Sequence, residues 1–343
     1  MITSETTPPS FPTNPATAPQ RTLHPRHAAA ASIVMNWPIV SSAPACGETV
    51  HVQNCPVCSS ARFKELYAGN FSGGAEQAMP FFLTDRVSAV HGRIVRCEEC
   101  SFVLTSPQFP AEDYDRIYRD VASIEKPYGR SIATRTRFGK LSALTRRHVK
   151  GGRFFDFGCG DGQFLESMPG FEGVGLELRG DGSAPVQSRR GCIIVGDLGS
   201  AIGAGMLQAK SFDFVTAWDV FEHLPYIARE VQALRSLIRP SGWLFCSVPN
   251  VASLAARVSG ERWNCYLLEH LWYFAPRTLS AFMARNGFET EEIRAFAFPA
   301  DLGTLAERVR QTYGVTLPVP RAFSACTMPI PAGVMFGAFR LKA

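Results

Sequence analysis

From residue 153 onward, short apolar runs alternate with stretches of helical periodicity. RFFDF (153–157), GVGLEL (173–178), CIIVGD (192–197), FDFVTAW (212–218) and GWLFCSV (242–248) each have the length and composition of a buried strand. Between the last two, Ile227, Val231, Leu234 and Ile238 recur at helical spacing, and Pro240-Ser241-Gly242 predicts where that helix stops. Two more strands are predicted near 288–298 and 334–341. An amphipathic helix over 301–313 lies between them, with Leu302, Leu305, Val309 and Tyr313 on one side. Strands separated by helices imply right-handed crossovers and a parallel sheet. The expectation is therefore an α/β domain over 153–343, a doubly wound, seven-stranded, mostly parallel sheet, with 300–332 as an insertion.

The pattern upstream is different. Residues 51–125 carry two Cys-x-x-Cys pairs, Cys55/Cys58 and Cys97/Cys100, and are read as a small separate module. The stretch 126–152 is a basic helical linker with no acid; Ile132, Phe138, Leu141, Leu144 and His148 form its loose apolar stripe. Its charges suit either a solvated helix face or attraction of an anionic substrate or surface. The first fifty residues hold eight prolines and only two acids, Glu5 and Glu48, and are expected to be a disordered tail. An export signal is a poor fit there: the apolar stretch at 28–40 begins late and is interrupted by Asn36, Trp37 and Pro38. Met35 is also an alternative start.

Composition narrows the class. With 46% hydrophobic and 19% charged residues the chain can bury a sizeable core. No run approaches the roughly 18 apolar residues of a membrane span. A net charge of +5 does not make nucleic acid an obligatory partner. Paired cysteines in a chain of this size point to metal in a reducing compartment, hence the cytoplasm. Each pair occupies one side of a tetrahedral ion, so Cys55, Cys58, Cys97 and Cys100 together make a closed structural zinc site. The 38 residues between the pairs exceed the usual spacing and imply an inserted loop; reduced core thiols or a redox pair are the competing readings.

The first strand of the α/β domain ends in Asp156-Phe-Gly158-Cys-Gly160-Asp-Gly162 and runs directly into a helix beginning QFLESM. Such glycines allow a tight turn and close approach of a ligand to helix N-terminal amides. The third glycine of a dinucleotide fingerprint would fall at Gln163, and no phosphate-binding lysine follows, so the loop is poor for pyrophosphate. Glu177, at the end of the second strand, can accept hydrogen bonds from two ribose hydroxyls. This loop, Glu177, and Asp197 after the third strand resemble the class I S-adenosylmethionine-dependent methyltransferases. The likeness continues through WDVFEHLP (218–225), SVPN (247–250) and the segment 270–288. It is nearest to the branch that includes ubiquinone-biosynthesis O-methyltransferases, with their acid-x-x-Glu-His sequence. The resemblance implies a Rossmann-like methyltransferase fold with S-adenosylmethionine held by Asp156, Gly158, Gly160, Gly162, Glu177, Asp197 and Asp219. Glycines contact the methionine part, Glu177 the ribose and Asp197 the adenine amine. The cysteine module resembles a zinc-binding domain found ahead of some bacterial methyltransferases, which usually have glycine after each pair where this chain has Ser59 and Ser101.

For the chemistry, His223, Glu222 and His270 are the candidates, because they follow the fourth and fifth strands at the sheet edge where open α/β sheets bind ligands. His223 either takes a proton from a hydroxyl acceptor or, with Glu222, caps and orients the next helix. His270 suits a packed histidine tied to a carbonyl. Asp219, Glu222 and His223 would also suit a divalent ion, as the resemblance to quinone-modifying relatives implies. The expected activity is O-methylation of a hydroxyl or carboxylate on an apolar or amphiphilic small molecule. The alternatives are C- or N-methylation of a nucleotide-linked sugar or other metabolite, RNA methylation, or a non-catalytic cofactor-binding regulator.

Overall fold

A computed structural model describes residues 49–82, 90–124, 131–178, 186–188, 191–324 and 326–342. The tail, the export-signal reading and the alternative start fall at positions outside this set, apart from Thr49 and Val50 at the tail's end. Val50 forms an antiparallel bridge with Gln108.

The elements in chain order are β1 (Phe63–Tyr67), α1 (Ala75–Ala78), β2 (Ile94–Cys97), β3 (Val103–Thr105), α2 (Ala111–Ile124), α3 (Ile132–His148), β4 (Arg153–Phe157), α4 (Gln163–Ser167), β5 (Glu172–Glu177) and β6 (Val186–Ser188). There follow β7 (Gly191–Val195), α5 (Leu198–Gly203), β8 (Phe212–Trp218), α6 (Ile227–Leu237), β9 (Ile238–Pro249), α7 (Leu254–Ser259), β10 (Trp272–Tyr273), α8 (Pro276–Arg285), β11 (Phe288–Asp301), α9 (Leu302–Tyr313) and β12 (Thr327–Leu341). The large sheet has the order β11-β12-β9-β8-β4-β5-β7-β6. Its centre, β9 to β7, is parallel. β12 and β11 extend it antiparallel on one side, and β6 pairs antiparallel with β7 on the other. All seven predicted strands are present; β6 is an eighth, three residues long and too short to show a period in the sequence.

Alternation along β4 sorts the phenylalanines between the two faces of this sheet. Phe154 stacks on Phe214 at 5.0 Å in a cluster with Phe164, Phe245, Phe336 and Leu141. Phe155 faces the other way, into a core with Val215, Val231, Leu234 and Phe282. That second core continues without a break into Cys55, Phe82, Phe102 and Tyr114 of the cysteine module. The module's sheet, β1-β2-β3-β10, is also completed from the C-terminal half, with Trp272 opposite Leu104 and Tyr273 opposite Val103.

The described part of the basic segment forms α3 over Ile132–His148, and Ser131 caps it by accepting from the Thr134 amide at 3.1 Å; positions 126–130 lie outside the described residues. Leu141 is buried and Phe138 and Leu144 pack beside it, whereas Ile132 is 57% exposed. Several of its charges are spent on the fold. Arg147 and His148 meet Glu292, and the Arg146 guanidinium lies over the Phe171 ring at 4.7 Å. The predicted insertion is anchored further out than its pattern suggested: the β11–β12 ladder runs on through Phe298–Ile330 to Asp301–Thr327, and α9 sits beyond it.

Candidate active site

The glycine loop occupies the carboxyl end of β4. Gly158, Gly160 and Gly162 have φ of 74°, 54° and 81°, the left-handed region that side chains disfavour. A Cβ on Gly158 would lie 2.6 Å from Val220 Cγ2, so the loop passes against the segment that follows β8. The amides of Gly158 and Cys159 donate to the Leu176 carbonyl at 2.9 and 3.0 Å, and the Gly160 amide donates to Glu177 Oε2 at 2.8 Å. Loop and acid are thereby locked into one unit.

Asp156 lies beneath them, buried, its Oδ1 accepting from Thr216 Oγ1 at 2.6 Å. Its Oδ2 is also buried and has no partner among the described residues. Burial pushes this carboxyl up to about 7, against the opposing effect of the Thr216 bond. Asp197 is the N-cap of α5 and accepts from the Ser200 amide at 2.8 Å, which with the Ser200 side chain holds its carboxyl below the usual range.

Beside the loop, the chain leaves β8 through Asp219, whose φ of 53° is unusual for a residue with a side chain. Ser247 at the end of β9 holds it there. The Asp219 amide donates to the Ser247 carbonyl at 3.0 Å, and Ser247 Oγ donates to Asp219 Oδ1 at 2.5 Å. Asp219 Oδ2 is ion-paired with Arg137 of α3. A 3₁₀ turn, Phe221–His223, then buries Glu222. Burial, reinforced by the charge of Asp219, raises the Glu222 carboxyl well above its ordinary value, and its Oε2 has no partner among the described residues.

His270 is buried next to this turn. Its Nδ1 donates to the Cys265 carbonyl at 2.8 Å, the tie to a carbonyl expected from its sequence context, and Nε2 is left as the lone-pair nitrogen. Burial lowers its pKa to about 4. The His223 ring stands edge-on to it, with centroids 4.6 Å apart. His223 Nδ1 is 2.9 Å from the Tyr118 hydroxyl and 4.0 Å from Glu269 Oε2. Ligand-capable atoms of Glu222, His223 and His270 all lie within 4.8 Å of one another. His270, and not Asp219, completes this group with Glu222 and His223, because Arg137 and Ser247 engage the Asp219 carboxylate.

The neutral form of His270 carries a testable consequence. In the unfolded chain it protonates below about 6.5 and in the folded protein only near 4, so acidification through that window favours unfolding. Thermal unfolding of wild type and His270→Asn against pH should diverge by up to about 3 kcal/mol between those limits, with the variant less acid-sensitive. Parallel curves would show that this ring is not held neutral.

The four module cysteines gather as expected. Their Sγ atoms lie within 4.8 Å of one another, Cys55 and Cys100 at 3.5 Å and Cys58 and Cys97 at 3.5 Å, with no disulfide. Tetrahedral ligation at about 2.3 Å would set them roughly 3.8 Å apart, so the cluster fits zinc with little adjustment. Ser59 and Ser101 adopt φ of 65° and 63°, the left-handed turn for which glycine is the easier residue.

Arg137, Tyr118 and Thr216 are site residues that the sequence did not single out, and Ser247 stood only as the first residue of SVPN (247–250). Arg137 carried a weaker signal, as one of nine basic residues between positions 126 and 153.

A fold with a parallel centre, a glycine loop at its first strand and an acid at its second defines a Rossmann-like methyltransferase. The comparisons agree: residues 132–293 match a methyltransferase domain family. Ubiquinone biosynthesis O-methyltransferase from Burkholderia pseudomallei is 30% identical over 165 residues, 44% of this chain and 70% of that protein. The protein of the same name from Paraburkholderia phymatum matches to the same extent. The solved structure of Burkholderia thailandensis 1,6-didemethyltoxoflavin-N1-methyltransferase, with bound 1,6-didemethyltoxoflavin and S-adenosylhomocysteine, aligns at 15% identity and a TM-score of 0.43. It covers 72% of this chain and 99% of that one. The chain belongs to the S-adenosylmethionine-dependent methyltransferases. Among the described residues no helix is long and apolar enough to cross a membrane.

Proposed function

We propose that this methyltransferase acts in the cytoplasm on a hydroxyl or carboxylate of an apolar or amphiphilic small molecule. The observation that carries the reading is the Glu222–His223–His270 group: Glu222 and His270 are buried and His223 half-buried, and the turn carrying Glu222 and His223 follows Val220, which packs against the glycine loop, where a transferable methyl and an acceptor would meet. The name of the Burkholderia and Paraburkholderia relatives supports oxygen as the acceptor atom.

The donor would be held by the elements already locked together. Gly158, Gly160 and Gly162 keep the loop low enough for close approach, and Glu177 accepts from the ribose hydroxyls while still tied to the Gly160 amide. The orphaned Asp156 Oδ2 beneath the loop would be a further acceptor for the ammonium end, and Arg137, which is paired with Asp219, would lend positive charge to the carboxylate end. Asp197, the N-cap of α5 after β7, would meet the adenine amine. When bound, S-adenosylmethionine supplies a methyl group on a positively charged sulfur, electrophilic without further activation. His223 would orient a hydroxyl acceptor towards that methyl group and take its proton as the oxygen is methylated, whereas a carboxylate acceptor would need only to be positioned. Burial raises the Glu222 carboxyl well above its ordinary value, which favours the protonated form, a hydrogen-bond donor beside His223. Cys55, Cys58, Cys97 and Cys100 would hold a structural zinc ion with no open position.

Two measurements test this. Calorimetric titration with S-adenosylmethionine should show Glu177→Ala weakened by about 1–3 kcal/mol, the loss of charged hydrogen bonds; unchanged affinity removes Glu177 from the ribose. Incubation with methyl-labelled S-adenosylmethionine and a panel of phenols, catechols and fatty acids should place label on oxygen. Label recovered on carbon or nitrogen overturns the assignment.

A further inference from the structure

One side chain of the cysteine module touches His223 directly. Tyr118 lies on α2, upstream of the residues that match the methyltransferase family, and its hydroxyl is 2.9 Å from His223 Nδ1. The two rings meet edge-on with centroids 6.2 Å apart. Phe82 packs edge-on against the phenol at 5.6 Å, so the ring is held from the module side as well.

A histidine facing a hydroxyl leaves two tautomers open: the hydroxyl donates to Nδ1, or Nδ1 donates to the oxygen. The surroundings discriminate between them. Glu269 Oε2 lies 4.0 Å from the same nitrogen, and a carboxylate charge on that side favours the proton at Nδ1. We propose that Tyr118 is a positioning residue for His223: its oxygen accepts from Nδ1–H, which fixes the ring plane and leaves Nε2 as the lone-pair nitrogen. The inference rests on the reading of His223 as the group that meets the acceptor. It gives the module a part in catalysis beyond its own folding, since the residue that orients His223 is carried by an element packed on the module's core.

Tyr118→Phe keeps the ring packed on Phe82 and removes only the hydroxyl. Long-range proton–nitrogen correlation on protein labelled with ¹⁵N-histidine reads the tautomer directly, with His223→Gln identifying the resonances. Wild type should show Nδ1 protonated and Nε2 bare, and Tyr118→Phe should lose that single tautomer. On the best acceptor of the panel, kcat should fall about 10–100-fold in Tyr118→Phe, the range for a lost orienting partner. KM for S-adenosylmethionine should stay within about twofold and the melting temperature should not move. A wild-type proton on Nε2, or wild-type kcat in Tyr118→Phe, overturns the proposal. A loss of kcat that tracks a loss of melting temperature overturns it too. The tautomer is measured without turnover, so a His223→Ala enzyme of normal activity would refute the base reading separately.

Discussion

Cys97→Ser is expected to release bound zinc and, with it, methyl transfer. Coordination by four thiolates contributes an apparent free energy of about 10–16 kcal/mol to small zinc-bound modules, as large as the whole stability of an ordinary domain. A hydroxyl in place of Cys97 Sγ removes one of the four ligands grouped there, with no fifth His, Cys, Asp or Glu in the group among the described residues. The damage should spread along a defined path. Cys97 ends β2, β2 pairs with β3, and β3 pairs with β10. The Thr105 amide donates to the Leu271 carbonyl at 2.9 Å, and Thr105 Oγ1 donates to the His270 carbonyl at 2.9 Å. Loosening of the module therefore frees the turn before β10, which carries His270. Hydrogen exchange read by mass spectrometry should show 51–105 and 267–274 deprotected first, with β4 and β8 still protected. Elemental analysis should give one zinc per wild-type chain and none in the variant. Zinc-free wild type with full activity would contradict both the metal and the coupling.

How much of this arrangement could be read beforehand depends on how local the determining pattern is. The central strands were legible because each is an apolar run between breakers, and Phe154 and Phe155 show their alternation directly. The glycine loop and its acid, three glycines and Glu177, are likewise contained in one strand–turn–helix–strand unit, whose turn follows from positive φ at those glycines. β6 and β10 were not legible. Two or three residues carry no period, and β10 pairs with β3 from about 170 positions away, an arrangement that only the folded core selects. The ends of β11 and β12 were missed because Pro299, Pro329 and Pro331 argue against strand locally, whereas the long hairpin pairs Pro299 with Pro329 and passes Pro331 in the register shift beside Phe298. Arg137 was one cation among nine until α3 placed it on Asp219. Tyr118 had no signal at all: its role is created by a contact across 105 positions between the module and the turn after β8.

His223→Ala should lower turnover by roughly 10²–10⁴-fold, about 3–5 kcal/mol of transition-state stabilisation, while affinity for S-adenosylmethionine hardly changes. The separation of the two effects follows from position. The donor is expected on the glycine loop and Glu177, whereas His223 sits in the turn after β8 with Tyr118, Glu269 and His270 around it. If His223 is the base, the loss should shrink as pH rises, because a hydroxyl acceptor then ionises unaided. If the group holds a divalent ion, Glu222→Gln and His270→Asn should cause comparable losses together with loss of the ion, since those side chains complete the cluster with His223; Asp219→Asn should then behave differently, its carboxylate being held by Arg137 and Ser247. Turnover that hardly changes would exclude both roles and point to an acceptor that is already ionised at neutral pH, most simply a carboxylate converted to its methyl ester.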